Sequence, residues 1–423
     1  MAAALLLGGS TVWAQALTVP ADVYFYSVSL GGAGGGAGGR DDPASPQNNL
    51  PASAGGAGGA GALVTATLAV NPGDTLTPTL GAGGLNGRNL VALTGGGAGG
   101  SGTGNGGRGG YPRQPYPSAV SGAGGGGGGG SVLALNGVAV LQAGGGGGGG
   151  GGSWYVPGLA GSAAAAPLAA ANDCGQAGHG QAETNPTSDG GGAGGGGGGY
   201  TGGAAGVAGI DNTNGNNAAT ARPATGGVAG TSCYRPGSVT NAQLDPAGGG
   251  AGAPFDNATA GSATSTAGAG SFTATPLPSV LLQVVWPANA VAGDTMSATT
   301  TGVGAASVNS TAAAGGNTTQ GTRVPLPAAG GSLSLPAPSF TGSGTYSAAL
   351  SCTSNGPFVL GANTPPQTGV VTAADTNVVC TYTLTRTGGG TVTAVPTLGQ
   401  WALLLLSLSV AGIAAMRRGH TRG

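Results

Sequence analysis

The sequence predicts an all-β fold carrying low-complexity glycine-rich insertions, followed by one C-terminal transmembrane helix. Three observations carry that reading. Short apolar, β-prone segments with period-two alternation recur between turn signals. Glycine supplies 98 of 423 residues and is gathered into runs, where an ordinary globular chain holds about 7 %. Finally, residues 398–416 contain no Asp, Glu, Lys or Arg and approach the about 20 apolar residues that a helix needs to cross a bilayer.

Taken in order, residues 1–16 read as a secretory signal peptide. Residues 2–12 supply the apolar core, and Ala14-Gln15-Ala16 the small-x-small site, with cleavage expected before Leu17. The region before the core lacks Lys and Arg, so the expected translation start lies upstream or differs from Met1.

Residues 17–275 form a glycine-rich β module in this reading. Its glycine runs fall at 31–39, 95–110, 124–130, 144–152 and 190–199. Strands are expected at 23–30, 62–70, 75–80, 131–135 and 138–143. In the second of these, Val64, Ala66 and Leu68 alternate with Leu63, Thr65 and Thr67. Asn71-Pro72-Gly73-Asp74 signals a turn, and Asn136-Gly137 a two-residue hairpin. Two readings of the glycine runs stand side by side. Glycine loses the most backbone entropy on ordering, which favours loose linkers. Extended threefold helices near polyproline II lack side chains here, so several could pack closely and bond to one another.

The order of strand, Gly-Gly-Ala-Gly-Gly-Gly-Ala-Gly-Gly39, strand, turn, strand, hairpin, Gly-run and Gly-Gly-Tyr200-Thr-Gly-Gly203 resembles the glycine-rich domain of many bacterial surface proteins and of the extracellular region of the anaplastic lymphoma kinase family. That resemblance implies a jelly-roll-like sandwich with packed polyglycine helices between its strands. Cys174 and Cys233 lie within this module and are expected to pair.

Composition shifts at residue 276, where Thr, Ser, Val and Ala replace glycine. Strands at 280–286, 295–301, 331–335, 346–351, 358–360 and 379–385 predict an antiparallel sandwich over 276–388. Trp286, Ala292-Gly293-Asp294, Tyr346 to Cys352 and Cys380-Thr-Tyr382 resemble immunoglobulin-like repeats of bacterial surface proteins. A Cys352–Cys380 bridge, 28 residues apart, would then stabilise the domain by about 3 kcal/mol. Residues 389–394 read as a stalk.

The residues of catalysis are scarce. The chain has two histidines, one glutamate (Glu183) and no lysine, which removes a P-loop and its phosphate-binding Lys. With a net charge of −1, a basic surface for nucleic acid is not expected. His179 has Asp173 and Cys174 nearby but no second histidine, too few ligands for a metal. The Asp211-Asn-Thr-Asn-Gly215 segment lacks the further acids of a calcium loop. Neither enzymatic activity nor a cofactor is expected.

Residues 395–423 carry the functional signal. Val395, Pro396, Thr397 and Leu398 precede Trp401, then comes the Leu-rich apolar run, then Arg417, Arg418 and Arg422. Arginines on one side only place the C-terminus in the cytoplasm and the bulk of the chain outside. The tail resembles the IPTL-CTERM sorting domain, a relative of the PEP-CTERM signals read by exosortase-type enzymes in Gram-negative bacteria. Val395 stands where Ile is usual, Gln400 where an acid is common and Ala402 where Gly is common. The resemblance implies Sec export, residence in the inner membrane with residues 398–416 among lipid, handover to an exosortase-like enzyme, and delivery to the cell surface or extracellular matrix. An ordinary tail anchor is the alternative. A structural or adhesive role is expected of the exported part, with an unnamed glycan or protein ligand as the other reading.

Overall fold

The computed structural model describes residues 15–41, 53–88, 96–111, 121–153, 156–163, 168–182, 190–210, 222–254 and 266–388. Among them the regular structure is entirely β, in two compact units: the first runs to Ser279 and also takes Pro325–Gly330 and Thr372–Asn377, and the second takes the rest from Val280 on.

The first unit contains β1 (Leu17–Thr18), β2 (Phe25–Gly31), β3 (Leu63–Ala69), β4 (Thr75–Thr79), β5 (Ser131–Leu135), β6 (Val138–Ala143), β7 (Ala169–Ala170), β8 (Cys233–Tyr234), β9 (Val239–Asp245) and β10 (Ser271–Pro276). They form a six-stranded sheet, β1-β4-β5-β6-β8-β7, and a four-stranded sheet, β10-β2-β3-β9. Alternation decides which side chains enter the core. Tyr26, Val28 and Leu30 of β2 and Val64, Ala66 and Leu68 of β3 meet Leu76, Leu133 and Leu141 from the other sheet. Asn136 (φ 51°) and Gly137 (φ 78°) make the tight β5–β6 turn, as an Asn-Gly pair favours.

The glycine runs are ordered, which decides between the two readings. Gly32, Gly35 and Gly38 donate to Ala62, Gly59 and Gly56, so every third amide points at the same neighbour. That is the period of a threefold extended helix. The segment 144–152 shows the full pattern. Its amides reach 192–198, 33–39 and 159–162, while its carbonyls accept from 56–62, 122–128 and 227–230. Six hydrogen-bonded neighbours surround one segment, the arrangement of a hexagonal lattice.

Position in that lattice explains composition. Segments 31–39, 122–130, 144–152 and 190–199 are interior, with hydrogen-bonded segments on every side. A Cβ at Gly148 would fall on the Gly125 carbonyl, at Gly147 on Gly227, and at Gly146 on Gly59. No face of 144–152 is free, so all nine residues are glycine. Small gaps admit alanine: Ala37 packs with Ala253 and Ala267.

Strands set the register of these featureless runs. Gly31 pairs with Leu63 at the end of β2–β3, and Gly32–Ala62, Gly35–Gly59 and Gly38–Gly56 continue that pairing without a shift. Ser131–Ala143 of β5–β6 likewise continues as Gly128–Gly146, Gly125–Gly149 and Gly122–Gly152. Polyglycine has no side chains to fix its own alignment, whereas a one-residue slip of β2 or β3 would turn its buried face to solvent.

The second unit contains β11 (Ser279–Val285), β12 (Thr295–Thr299), β13 (Thr301–Gly302), β14 (Ser307–Thr311), β15 (Thr318–Gln320), β16 (Val324–Pro325), β17 (Gly331–Leu335), β18 (Ser339–Thr341), β19 (Thr345–Ser354), β20 (Gln367–Val371) and β21 (Val378–Gly388). The main sheet runs β15-β11-β21-β19, with β16 also on β11; β14-β12-β18 and β13-β17-β20 form two more. Val280, Leu282, Val284, Met296, Leu333, Leu350, Tyr382 and Leu384 are buried.

Two sequence expectations are corrected here. The sandwich is not wholly antiparallel, because β11 pairs with β21 in parallel from Val280↔Val378 to Val285↔Thr383. Residues 358–360 are not a strand: the buried Phe358 ring occupies the space a Cβ would need at Gly369 of β20. Strands β9, β14, β18 and β20 were not anticipated, being rich in Ser, Thr, Asn and Gln with little apolar alternation.

Candidate functional site

The sorting residues Val395, Pro396, Thr397, Leu398 and Trp401, and the arginines Arg417, Arg418 and Arg422, lie outside the described residues. So do Ala14, Glu183 and the segment 211–215, whereas Ala16 is described and exposed just before β1. No helix among the described residues is long and apolar enough to cross a membrane. What the structure places is the point of departure of the tail: β21 continues to Gly388, which pairs with Thr345 of β19.

Both disulfides anticipated from the even cysteine count form, Cys174–Cys233 in the first unit and Cys352–Cys380 in the second. The second joins directly opposed residues of β19 and β21.

A carboxylate cluster organises the second unit. Buried Asp294 accepts hydrogen bonds from the Tyr346 hydroxyl at 2.7 Å, the Ser343 amide at 2.9 Å and the Gly344 amide at 3.0 Å. Tyr346 Oη in turn accepts from the Val291 amide, and its ring meets Trp286 edge-on at 5.1 Å and stacks on Phe340. The Tyr346 bond chiefly, then the two amides and the charge of Arg386, hold the Asp294 carboxyl below its usual range against the opposing effect of desolvation. Desolvation and Asp294 raise the Tyr346 phenol. The hydroxyl donates to a carboxylate that also accepts two backbone amides, so Asp294 ties Tyr346 to the 343–344 turn as a structural clamp. Because the folded pKa is lowered, its stabilisation is complete above the unfolded value of about 3.9 and is lost as pH falls through the folded pKa. Urea midpoints of the second unit should therefore hold steady from pH 7 to pH 5 and decline below about pH 4, and Asp294→Asn should remove that part of the decline.

His179 has a local role. Its Nδ1 accepts the Asn105 amide at 3.1 Å, tying 178–182 to 104–110 in the lattice. Among the described residues no cluster of three His, Cys, Asp or Glu could hold a metal ion.

One face of the lattice stands out. Its outer row consists of 156–163, 222–231 and 201–210, hydrogen-bonded side by side. Along 201–210 the exposed positions are Thr201, Ala204, Val207 and Ile210, with Gly203, Gly206 and Gly209 turned inward. Val207 is 70 % exposed, Leu159 48 %, Val228 45 % and Ile210 43 %. Thr201 and Thr231 hydroxyls meet at 2.6 Å across two adjacent segments. The face is regular, small-featured and almost uncharged, with Arg222 at one end. It escaped the sequence reading, although the triplets Thr201-Gly-Gly, Ala204-Ala-Gly and Val207-Ala-Gly already carry its period of three.

The C-terminal segment is where similarity to known proteins is found. Residues 393–419 match the IPTL-CTERM motif. The match supports an exported chain sorted by its C-terminus, in association with the membrane, toward the cell surface. Motifs of this kind are processed by exosortase-like enzymes. No curated protein is significantly similar to the chain.

Proposed function

We propose that this is a non-enzymatic surface protein of a Gram-negative bacterium, exported through Sec and held in the inner membrane by residues 398–416 until an exosortase-like enzyme acts on the tail. The motif match at 393–419 carries this reading. Pro396, Thr397 and Leu398 form the recognition element, Trp401 anchors at the membrane interface, and Arg417, Arg418 and Arg422 hold the tail on the cytoplasmic side. Residues 389–394, which open with Gly389 and Gly390 directly after Gly388, give the enzyme access without unfolding β21. The exported part serves a structural or adhesive role. The uncharged face of Leu159, Val207, Ile210 and Val228 favours contact with another surface over an inert spacer.

Mass spectrometry of the mature C-terminus tests the reading. Trypsin has no site between Arg386 and Arg417, so an intact tail yields a long peptide beginning at Thr387. A peptide ending within 395–401 is expected. Pro396→Ala or Trp401→Ala should leave export intact and abolish that shorter peptide. Only the full-length peptide in the wild type would instead mark a permanent anchor.

A further inference from the structure

We propose that the second unit is a load-bearing link, built so that tension between the glycine module and the C-terminal tail is taken in shear by β11 and β21. The proposal rests on the reading of the tail as an anchor, but the mechanical property itself belongs to the described fold.

Chain direction supplies the first step. The chain first enters the second unit at the start of β11 and finally leaves it at the end of β21, passing through the first unit at Pro325–Gly330 and Thr372–Asn377 in between. Those two strands are neighbours and parallel, registered from Val280↔Val378 to Val285↔Thr383. Pulling the N-terminal end of one parallel strand against the C-terminal end of the other slides them along their common axis. All six paired positions are then strained together. If both strands were pulled from the same end, the pairs would open one after another, each alone against the load.

Burial supplies the second step. Val280, Leu282 and Val284 on β11, and Val378, Cys380, Tyr382 and Leu384 on β21, are buried, so water does not readily replace a strained backbone bond. The third step is the flanking support. β21 is central, with β19 paired along its other side over ten residues and the Cys352–Cys380 bridge fastening the two. β11 is held on its other side by β15 at Gln283, Val284 and Val285. Neither strand can leave sideways, and shear remains the route of failure.

Single-molecule force spectroscopy on the purified full chain in detergent tests this. One pair of handles is placed at the mature N-terminus and beyond Gly423, the native load path. A second pair uses a peptide tag inserted at exposed Ala288, just past β11, and the same C-terminal handle, which opens β11 from β21 at their common end. The unit is recognised by its extension. With the bridge intact, the 28-residue loop between Cys352 and Cys380 stays closed, and reductant lengthens that one step by roughly 95 Å. The expected result is a rupture force several-fold higher along the native path than from Ala288. Equal forces in the two geometries, with the same disulfide-dependent step in both, would overturn the proposal. The comparison needs no destabilising substitution and is independent of whether the tail is cleaved, so its failure and that of the sorting assignment are separate results.

Discussion

Gly148→Ala is expected to cost the first unit at least about 3 kcal/mol, the upper part of the range for an overpacked core, and to open the lattice around it. Gly148 donates to Gly195, accepts from Gly227, and turns its third side to the Gly125 carbonyl, where a Cβ would have to sit. Relief cannot come from a side-chain rotation, because the obstructing atoms are backbone in a segment that is itself bonded all round. Displacing 122–128 enough to admit one methyl group breaks registers at 33–39 and 192–198 as well. The measurement is a denaturant midpoint, with amide exchange as the local readout. Glycine amides of 144–152, protected in the wild type, should exchange fast in the variant. Ala204→Val, on the exposed row of 201–210, provides the control and should change the midpoint by less than about 0.5 kcal/mol. Random-coil exchange of the wild-type glycine amides would refute an ordered lattice outright.

The same contrast between interior and rim shows how far the sequence was legible. The hairpin at Asn136-Gly137, the alternation in β3 and the turn at Gly73 follow from local chemistry, and the strands form where expected. The glycine runs could be located but not interpreted, because polyglycine has the same composition as a linker and as a lattice element. What separates the two is non-local. The neighbours of 144–152 come from residues as distant as 33–39 and 227–230, and nothing within the run names them. Density of glycine is the one readable trace of burial, broken in 31–39, 122–130 and 190–199 only by the buried Ala33, Ala37, Ala123 and Ala193. Nine in a row at 144–152 mark a segment enclosed on all sides, while the triplets at 201–210 mark one with a free face. In the second unit, β11 and β21 were anticipated as strands, but their parallel pairing links positions nearly a hundred residues apart and left no local sign.

A lattice of this kind needs its alignment imposed from outside. Glycine segments bonded only through backbone would be nearly indifferent to a slip of three residues, since every turn is alike. The apolar faces of β2, β3, β5 and β6 remove that freedom, because each strand continues directly into a glycine segment. The sandwich therefore specifies the lattice, and the lattice in turn extends the strand pairing through segments with very little side-chain mass. A surface protein gains from this a large, rigid, nearly uncharged scaffold, and the outer row at 201–210 and 222–231 is then free to vary without disturbing the interior.

Segments far from those strands need another restraint, and the Cys174–Cys233 bridge meets that need. It closes a 59-residue loop that contains 178–182, the interior segment 190–199, and the outer rows 201–210 and 222–231. Among the described residues the two-residue strands β7 and β8 flank this part of the chain, too short to pin it by alternation. Cys233 lies in β8 opposite Gln142 of β6, so the bridge ties the loop to the sheet that feeds 144–152. In the chain-entropy account, closing a loop of that length is worth about 4 kcal/mol. The Cys174→Ser/Cys233→Ser variant should lower the stability of the first unit by about that amount and leave the transition of the second unit, with its own bridge, where it was. Exchange should rise first in 190–199 and 201–210, and only later in β2 and β3. Combined with Gly148→Ala the losses should not add, because 145–151 and 192–198 share hydrogen bonds. An unchanged midpoint for the first unit, or equal shifts in both units, would mean that the bridge does not hold the lattice together.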